Sequence, residues 1–177
     1  KKDTNPPTVS DNQAGDAVWR NAGGTLYNVD FQDGLSGLAT AQYAAWTAPG
    51  RTGTELKPWT DISAGINGPT YTTDWPVDFA ALADGTTSYL SVRAYDALGQ
   101  AATANDVFIV LKDTTLPAVT DNQAGDDTWR SAAGTLYNVD FADAGSRLER
   151  AEYAVYTATG QTGTQIVPWT AVFTSTG

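Results

Sequence analysis

Gly24-Thr25-Leu26-Tyr27-Asn28-Val29-Asp30-Phe31 is written out again, letter for letter, at Gly134 to Phe141. Tyr27, Val29 and Phe31 alternate with the polar Asn28 and Asp30, the period of two that sets one face of a β-strand in a core and the other in water. Identity extends outward in both directions. Asp-Asn-Gln-Ala-Gly-Asp opens each copy (Asp11 to Asp16, Asp121 to Asp126), Trp-Arg follows (Trp19-Arg20, Trp129-Arg130), and Pro-Trp-Thr closes it (Pro58 to Thr60, Pro168 to Thr170). No insertion or deletion separates Val9 to Thr60 from Val119 to Thr170, so the period is about 110 residues, the size of a small domain and not of a helical-hairpin repeat.

Other runs carry the same strand signature. Between Leu38 and Trp46 the odd positions Ala41, Tyr43 and Ala45 correspond to Ala151, Tyr153 and Val155, whereas the even face accepts Arg150 and Glu152 and is read as wet. Ser88 to Asp96 sets Leu90, Val92 and Ala94 inward and Tyr89, Ser91, Arg93 and Tyr95 outward, while Val107 to Leu111 is apolar throughout. Asp33-Gly34, Asn67-Gly68, Asp84-Gly85 and Asp96 to Gly99 supply turns. One short helical piece is expected at Val77 to Leu82, and Asp61 to Asp74 shows no period. Short strands broken by turns about every ten residues predict an all-β chain of tandem antiparallel β-sandwiches. A complete repeat is expected over residues 1–112 and the N-terminal part of a second over 113–177. The expected core is Tyr27, Val29, Phe31, Tyr43, Leu90, Val92 and Ile109, sealed by Trp19 and Trp59.

Lys112-Asp113-Thr114-Thr115-Leu116-Pro117 joins the copies, and Lys2-Asp3-Thr4-Asn5-Pro6-Pro7 precedes the first in the same way. Proline fixes φ and restricts its predecessor, so Asp113 and Pro117 are expected to set a short, extended joint and a semi-rigid rod. Counterparts of Ser88 to Asp96 and Val107 to Leu111 do not occur between Thr170 and Gly177. The second sandwich is therefore expected to be incomplete, to be completed either by a continuation of the array or by strands of a neighbouring copy in a fibre.

Composition narrows the chemistry. The 177 residues contain no cysteine and no histidine, which removes disulfides, thiolate chemistry, imidazole ligands and the commonest general base. A net charge of −10, with 20 acidic residues against 10 scattered basic ones, speaks against nucleic acid and favours solubility or divalent cations. No apolar run approaches a membrane span, and Lys1 to Pro7 does not read as a signal peptide. Abundant Thr, Gly, Ala, Asp and Asn with sparse Lys gives a composition like that of bacterial extracellular repeat proteins, and the expected location is extracellular, at the cell surface.

Asp33-x-x-Ser36-Gly37-Leu38, the run Tyr89-Leu-Ser-Val-Arg-Ala-Tyr-Asp-Ala-Leu-Gly99, and an apolar strand ending in Lys-Asp-Thr-Thr-Leu-Pro together resemble the bacterial immunoglobulin-like domains strung in tandem in large surface and secreted proteins of adhesin or fibre type. There is no Cys-Trp-Cys core. Ser146-Arg147-Leu148 replaces Ser36-Gly37-Leu38, so Gly37 reads as dispensable. The resemblance implies immunoglobulin-like sandwiches acting as a structural spacer or fibre-building repeat, partnered by neighbouring repeats or copies, with calcium at the joints of some such arrays.

In that topology Asp3, Asp33 and Asp96 gather at one pole, and Asp113 and Asp143 do so at the head of the second copy. Three carboxylates plus loop carbonyls could fill a calcium shell of six to eight oxygens, although aspartate is also the ordinary residue of Asx turns. Asp-Asn-Gln-Ala-Gly-Asp reads either as a ligand loop or as a tight structural loop in which Asp11, Asn12 and Asp16 bond the backbone and Gly15 takes positive φ. Trp19, Trp59 and their counterparts Trp129 and Trp169 read as packing residues, and Trp46 and Trp75 leave a glycan-stacking platform open. No spacing of nucleophile and base occurs, and an enzyme is not expected. The alternative to a spacer is a carbohydrate- or surface-binding adhesive module.

Overall fold

In the computed structural model residues 1–13, 16–123 and 127–175 are described. They form two compact units, Lys1–Thr114 and Thr115–Gly177. The first contains β1 (Thr8–Asp11), β2 (Trp19–Arg20), β3 (Leu26–Tyr27), β4 (Val29–Gln32), β5 (Leu38–Ala48), β6 (Thr52–Gly68), β7 (Thr70–Tyr71), β8 (Trp75–Pro76), a 3-10 turn at Phe79–Ala81, β9 (Thr86–Asp96) and β10 (Ala101–Lys112). The helical piece read at Val77 to Leu82 is thus a single 3-10 turn. Asp61 to Asp74, without period in the sequence, is largely the far half of the long β6.

The first unit is an all-β sandwich. A three-stranded sheet β1-β4-β7 faces a five-stranded sheet β2-β10-β9-β5-β6, with the β3-β8 pair alongside. All pairings are antiparallel except β2 with β10. Tyr27, Val29 and Phe31 are at most 1% exposed and form one core with Leu38, Ala41, Tyr43, Ala45, Leu90, Val92 and Ala94, so the alternation read from the sequence is the one that folds. Each large side chain buried in this way contributes about 1.5–3 kcal/mol.

Two expected placements differ. Phe108 and Val110, not Ile109, enter the core. Residues directly opposite on paired strands point to the same side, and the register sets Phe108 against the inward Leu90 but Ile109 against Tyr89. Ser91, expected in water, is fully buried, because β10 bulges between Ala104 and Phe108 and the Asp106 backbone N–H donates to the Ser91 hydroxyl at 3.1 Å.

The tryptophan at the centre of the core is Trp75, 3% exposed, whereas Trp19 and Trp59, expected to seal it, are half-buried and not among the side chains packed against it. Pairing of β3 with β8 sets Tyr27 opposite Trp75, and both rings pack on Phe108, Tyr27 stacked at 4.3 Å and Trp75 tilted at 5.8 Å. Tyr43 closes the group at 5.3 Å from Trp75, and its hydroxyl accepts the Asp78 N–H at 2.9 Å.

The second unit contains β11 (Ala118–Asp121), β12 (Val139–Ala142), β13 (Arg150–Ala158) and β14 (Thr162–Thr174). β11 pairs with β12 in the register of β1 with β4, shifted by the repeat period: Asp11 opposes Val29, and Asp121 opposes Val139. β13 pairs with β14 as β5 pairs with β6, Tyr43 opposing Thr60 and Tyr153 opposing Thr170.

Replacing Phe108 with Ala should cost about 3–5 kcal/mol in denaturant unfolding of the chain, and Ile109→Ala no more than about 2 kcal/mol. Equal losses would contradict the register of β10 against β9.

Candidate functional site

Asp3, Asp33 and Asp96 reach one another from three separate segments, ahead of β1, after β4 and at the end of β9. An oxygen of each lies within 4.8 Å of the other two. Asp33 and Asp96 are buried, at 5% and 1% exposure, and Asp3 is half-buried. None of the three is ion-paired to a lysine or arginine among the described residues, where Arg20 pairs with Asp16, Lys57 with Asp78, and Arg150 with Glu152.

What holds three like charges together is a dense set of N–H and O–H donors. Oδ1 of Asp33 accepts the backbone N–H groups of Leu35, Ser36 and Gly37 at 3.0, 2.9 and 2.9 Å, an Asx loop that uses one carboxylate oxygen and leaves Oδ2 without a hydrogen bond among the described residues. Oδ1 of Asp96 accepts from Leu98 N and Gln100 N, and Oδ2 from Gln100 Nε2 and the Ser36 hydroxyl. Asp3 takes Asn5 N on one oxygen and Ser36 N on the other. Ser36 is therefore the hub, in contact with all three carboxylates, and Gln100 is its companion. Neither was singled out as a site residue from the sequence; the signal for Ser36 is its recurrence as Ser146 in the second copy.

These donors show in the acidities. The Asn5 N–H, then the Ser36 hydroxyl, hold the Asp3 carboxyl below its ordinary value of 3.8 against burial and the like charge of Asp96. Burial is the largest single influence on Asp96 and raises it, but the Gln100, Ser36 and Leu98 donors together outweigh burial and leave it lowered.

The remaining predicted positions fall as follows. Asp113 is buried in the first unit, its N–H donating to Arg20 O at 3.0 Å. Asp143 belongs to the second unit and rebuilds the Asx loop there, accepting Gly145 N at 2.9 Å and Arg147 N at 3.1 Å. Position 37 of the repeat is left-handed in both copies, with φ of 84° at Gly37 and 75° at Arg147. Gly37 is thus replaceable in sequence but not in conformation, and Arg147 adopts it at a cost of about 1–2 kcal/mol. Pro117 directly precedes β11.

The described residues of Asp-Asn-Gln-Ala-Gly-Asp act as a latch. Asp11 Oδ1 accepts Gln13 N at 2.9 Å, Asn12 bonds Asn28 O and Asp30 Oδ2, and Asp16 pairs with Arg20 at 3.3 Å. The second copy repeats the contacts of Asp121 with Gln123 and of Asn122 with Asp140. Gly15, whose positive φ was expected, and Asp126 lie outside the described residues.

On the outer face of the five-stranded sheet Trp46 and Trp59 meet edge to face, centroids 5.9 Å apart and planes at 70°. The Arg93 guanidinium sits 4.3 Å over the Trp59 ring and 5.3 Å over Tyr95. Among the described residues no helix is long and apolar enough to cross a membrane. No protein-family model, curated protein or solved structure matches the chain.

Because the Asp3 and Asp96 carboxyls are held below 3.8, the stability they contribute is present above that value and is lost as pH falls through their folded-state values. The melting temperature should therefore drop as pH is lowered below about 4, and Asp96→Asn should shallow that acid limb in a calorimetric pH series. A limb steepened by Asp96→Asn, or a chain that grows more stable on acidification, would contradict the assigned direction.

Proposed function

We propose that this chain is part of an extracellular structural array, a spacer or fibre-building stretch of a bacterial surface protein, in which each repeat carries a cation-organised pole. One observation carries the reading. The Asp3 carboxylate, from the segment that leads into the repeat, meets Asp33 and Asp96 from two loops of the same repeat. A site built in that way fastens the incoming chain to the body of the domain, which is what a length-bearing array requires at each joint. The outgoing end is fastened as well. Lys112 Nζ donates to Leu82 O at 2.9 Å, Asp113 N to Arg20 O, and Thr114 to the Asp84 carboxylate at 2.8 and 3.0 Å.

Calcium is the ion whose chemistry suits the donors: hard carboxylate oxygens, two of the groups buried, no nitrogen or sulfur ligand within the set. Asp33 would bring its spare Oδ2, and Asp3 and Asp96 one oxygen each. The ion would supply positive charge where three negative ones converge. Asp3 and Asp33 recur in the sequence as Asp113 and Asp143.

The adhesive alternative needs open, coplanar rings for sugars to stack on. Trp46 and Trp59 stand edge to face, and the face of Trp59 is already taken by Arg93. That arrangement favours the spacer.

Millimolar calcium should raise the melting temperature of the chain, and magnesium should do so far less because it dehydrates reluctantly. Asp33→Asn keeps an acceptor for the Leu35, Ser36 and Gly37 N–H groups while removing the charge. It should therefore fold and lose the calcium response. A chain whose melting is indifferent to millimolar calcium would refute the cation-organised pole.

A further inference from the structure

The outer face of the five-stranded sheet in the first repeat balances its charges without pairing them. Side chains alternate along a strand, so with Leu90, Val92 and Ala94 in the core, Tyr89, Arg93 and Tyr95 of β9 stand on the outer face. The register carries that face across the sheet. Arg93 opposes Gln42, which opposes Asp61; Tyr89 opposes Trp46, which opposes Glu55. Two rows thus cross β9, β5 and β6, each with a donor at its β9 end and a carboxylate at its β6 end. Gln42 spans the first row: its Oε1 accepts Arg93 Nε at 2.6 Å, and its Nε2 donates to Asp61 Oδ1 at 2.6 Å. Arg51, at the hairpin end of β6, lies 6.0 Å over the Trp59 ring.

Arg51 and Arg93 therefore share this face with Glu55 and Asp61, and among the described residues none of the four is ion-paired, whereas Arg20, Lys57 and Arg150 are. Arg51, Glu55 and Asp61 are exposed, and Arg93, Trp59, Tyr89 and Tyr95 half-buried. A chain of net charge −10 repels its own copies, but this face is neutral in sum and rich in aromatic rings and arginine, the residue types that protein interfaces favour.

The order of the charges points to the occupant. We propose that the outer face of β9, β5 and β6 pairs with the same face of a second copy, about a two-fold axis running along β5. Arg93 and Asp61 lie one strand spacing, about 4.8 Å, to either side of Gln42. Rotation about β5 exchanges them, so Arg93 of each copy meets Asp61 of the other, and two ion pairs form. The same rotation sets the Tyr89 hydroxyl of each copy against the Glu55 carboxylate of the other. The contact is isologous and closes on itself, with the strands of the two sheets aligned.

An anionic partner would meet Asp61 and Glu55 beside the arginines, and a cationic one would meet the arginines. A partner carrying both signs in the rotated order satisfies both ends of each row, and this face is itself such a partner. The charge order is peculiar to the first repeat: Glu152, Gln161, Gln165 and Ala171 replace Gln42, Arg51, Glu55 and Asp61 in the second. The inference involves no residue of the carboxylate pole, so either can fail without the other.

Sedimentation equilibrium of the full chain in the presence of a calcium chelator should show a reversible monomer–dimer equilibrium that weakens as salt rises from about 50 to 500 mM. Arg93→Asp and Asp61→Arg each set like charges opposite one another at two symmetric contacts, and each should weaken self-association about tenfold or more. Mixed together, the two variants are complementary at both contacts and should associate with each other, and the double variant should again pair with itself. A chain that stays monomeric at about 1 mM overturns the proposal. So does a dimer whose strength neither reversal changes, or a pair of folded single variants that do not associate on mixing. Arg93→Asp also removes the stack on Trp59; if that variant fails to fold, Asp61→Arg decides alone, since Asp61 is exposed, and an unchanged dimer in it overturns the proposal.

Discussion

Everything in the first repeat depends on β9 being paired on both sides. Its inward residues, Leu90, Val92 and Ala94, are fully buried, its outward ones carry Arg93 between Trp59 and Tyr95, and its last residue, Asp96, turns into the carboxylate pole. A strand in this position satisfies its backbone groups on both edges while burying a continuous apolar face, which is why the core, the outer aromatic face and the pole are one cooperative object. The contrast within the same chain is instructive. A frame of related sequence, in which β13 is paired along one edge among the described residues, leaves its tyrosines and valines exposed.

The pole shows how polar groups can be packed as tightly as apolar ones when donors are plentiful. Ser36 offers a backbone N–H and a hydroxyl, Gln100 a backbone N–H and a side-chain amide, and between them they reach every carboxylate in the group. The loops that converge there are short and tied at both ends, so the donors are set in place by the sheet before any ligand is considered. A cation is then a means of relieving the remaining like-charge repulsion and of fixing the incoming chain, not the origin of the loops.

Legibility in the sequence followed the strength of the local pattern. Tyr27, Val29 and Phe31 could be assigned to the core because strict alternation admits one face only, and Leu90, Val92 and Ala94 for the same reason. Val107 to Leu111 is apolar at every position, so its face is decided by register with β9, a long-range property, and Phe108 rather than Ile109 turns inward. Trp75 is buried from a segment with no period, through its pairing with Tyr27 across distant strands. Convergence of Asp3, Asp33 and Asp96 was legible from topology, since loops at one end of a sandwich must meet, but the roles of Ser36 and Gln100 belong to side-chain geometry and not to spacing. The bulge at Asp106 that buries Ser91 has no sequence signal beyond a tolerant residue at positive φ.

The dependence on β9 can be read amide by amide. Native-state hydrogen exchange on the chain compares two strands of related sequence, β5 with both edges paired and β13 with one. Protection at Ala41, Tyr43 and Ala45 should approach that of global unfolding of the first repeat, together with Leu90 and Val92, while those amides of β13 that point away from β14 exchange orders of magnitude faster. Equal protection across Ala41 to Ala45 and Ala151 to Val155 would contradict the account.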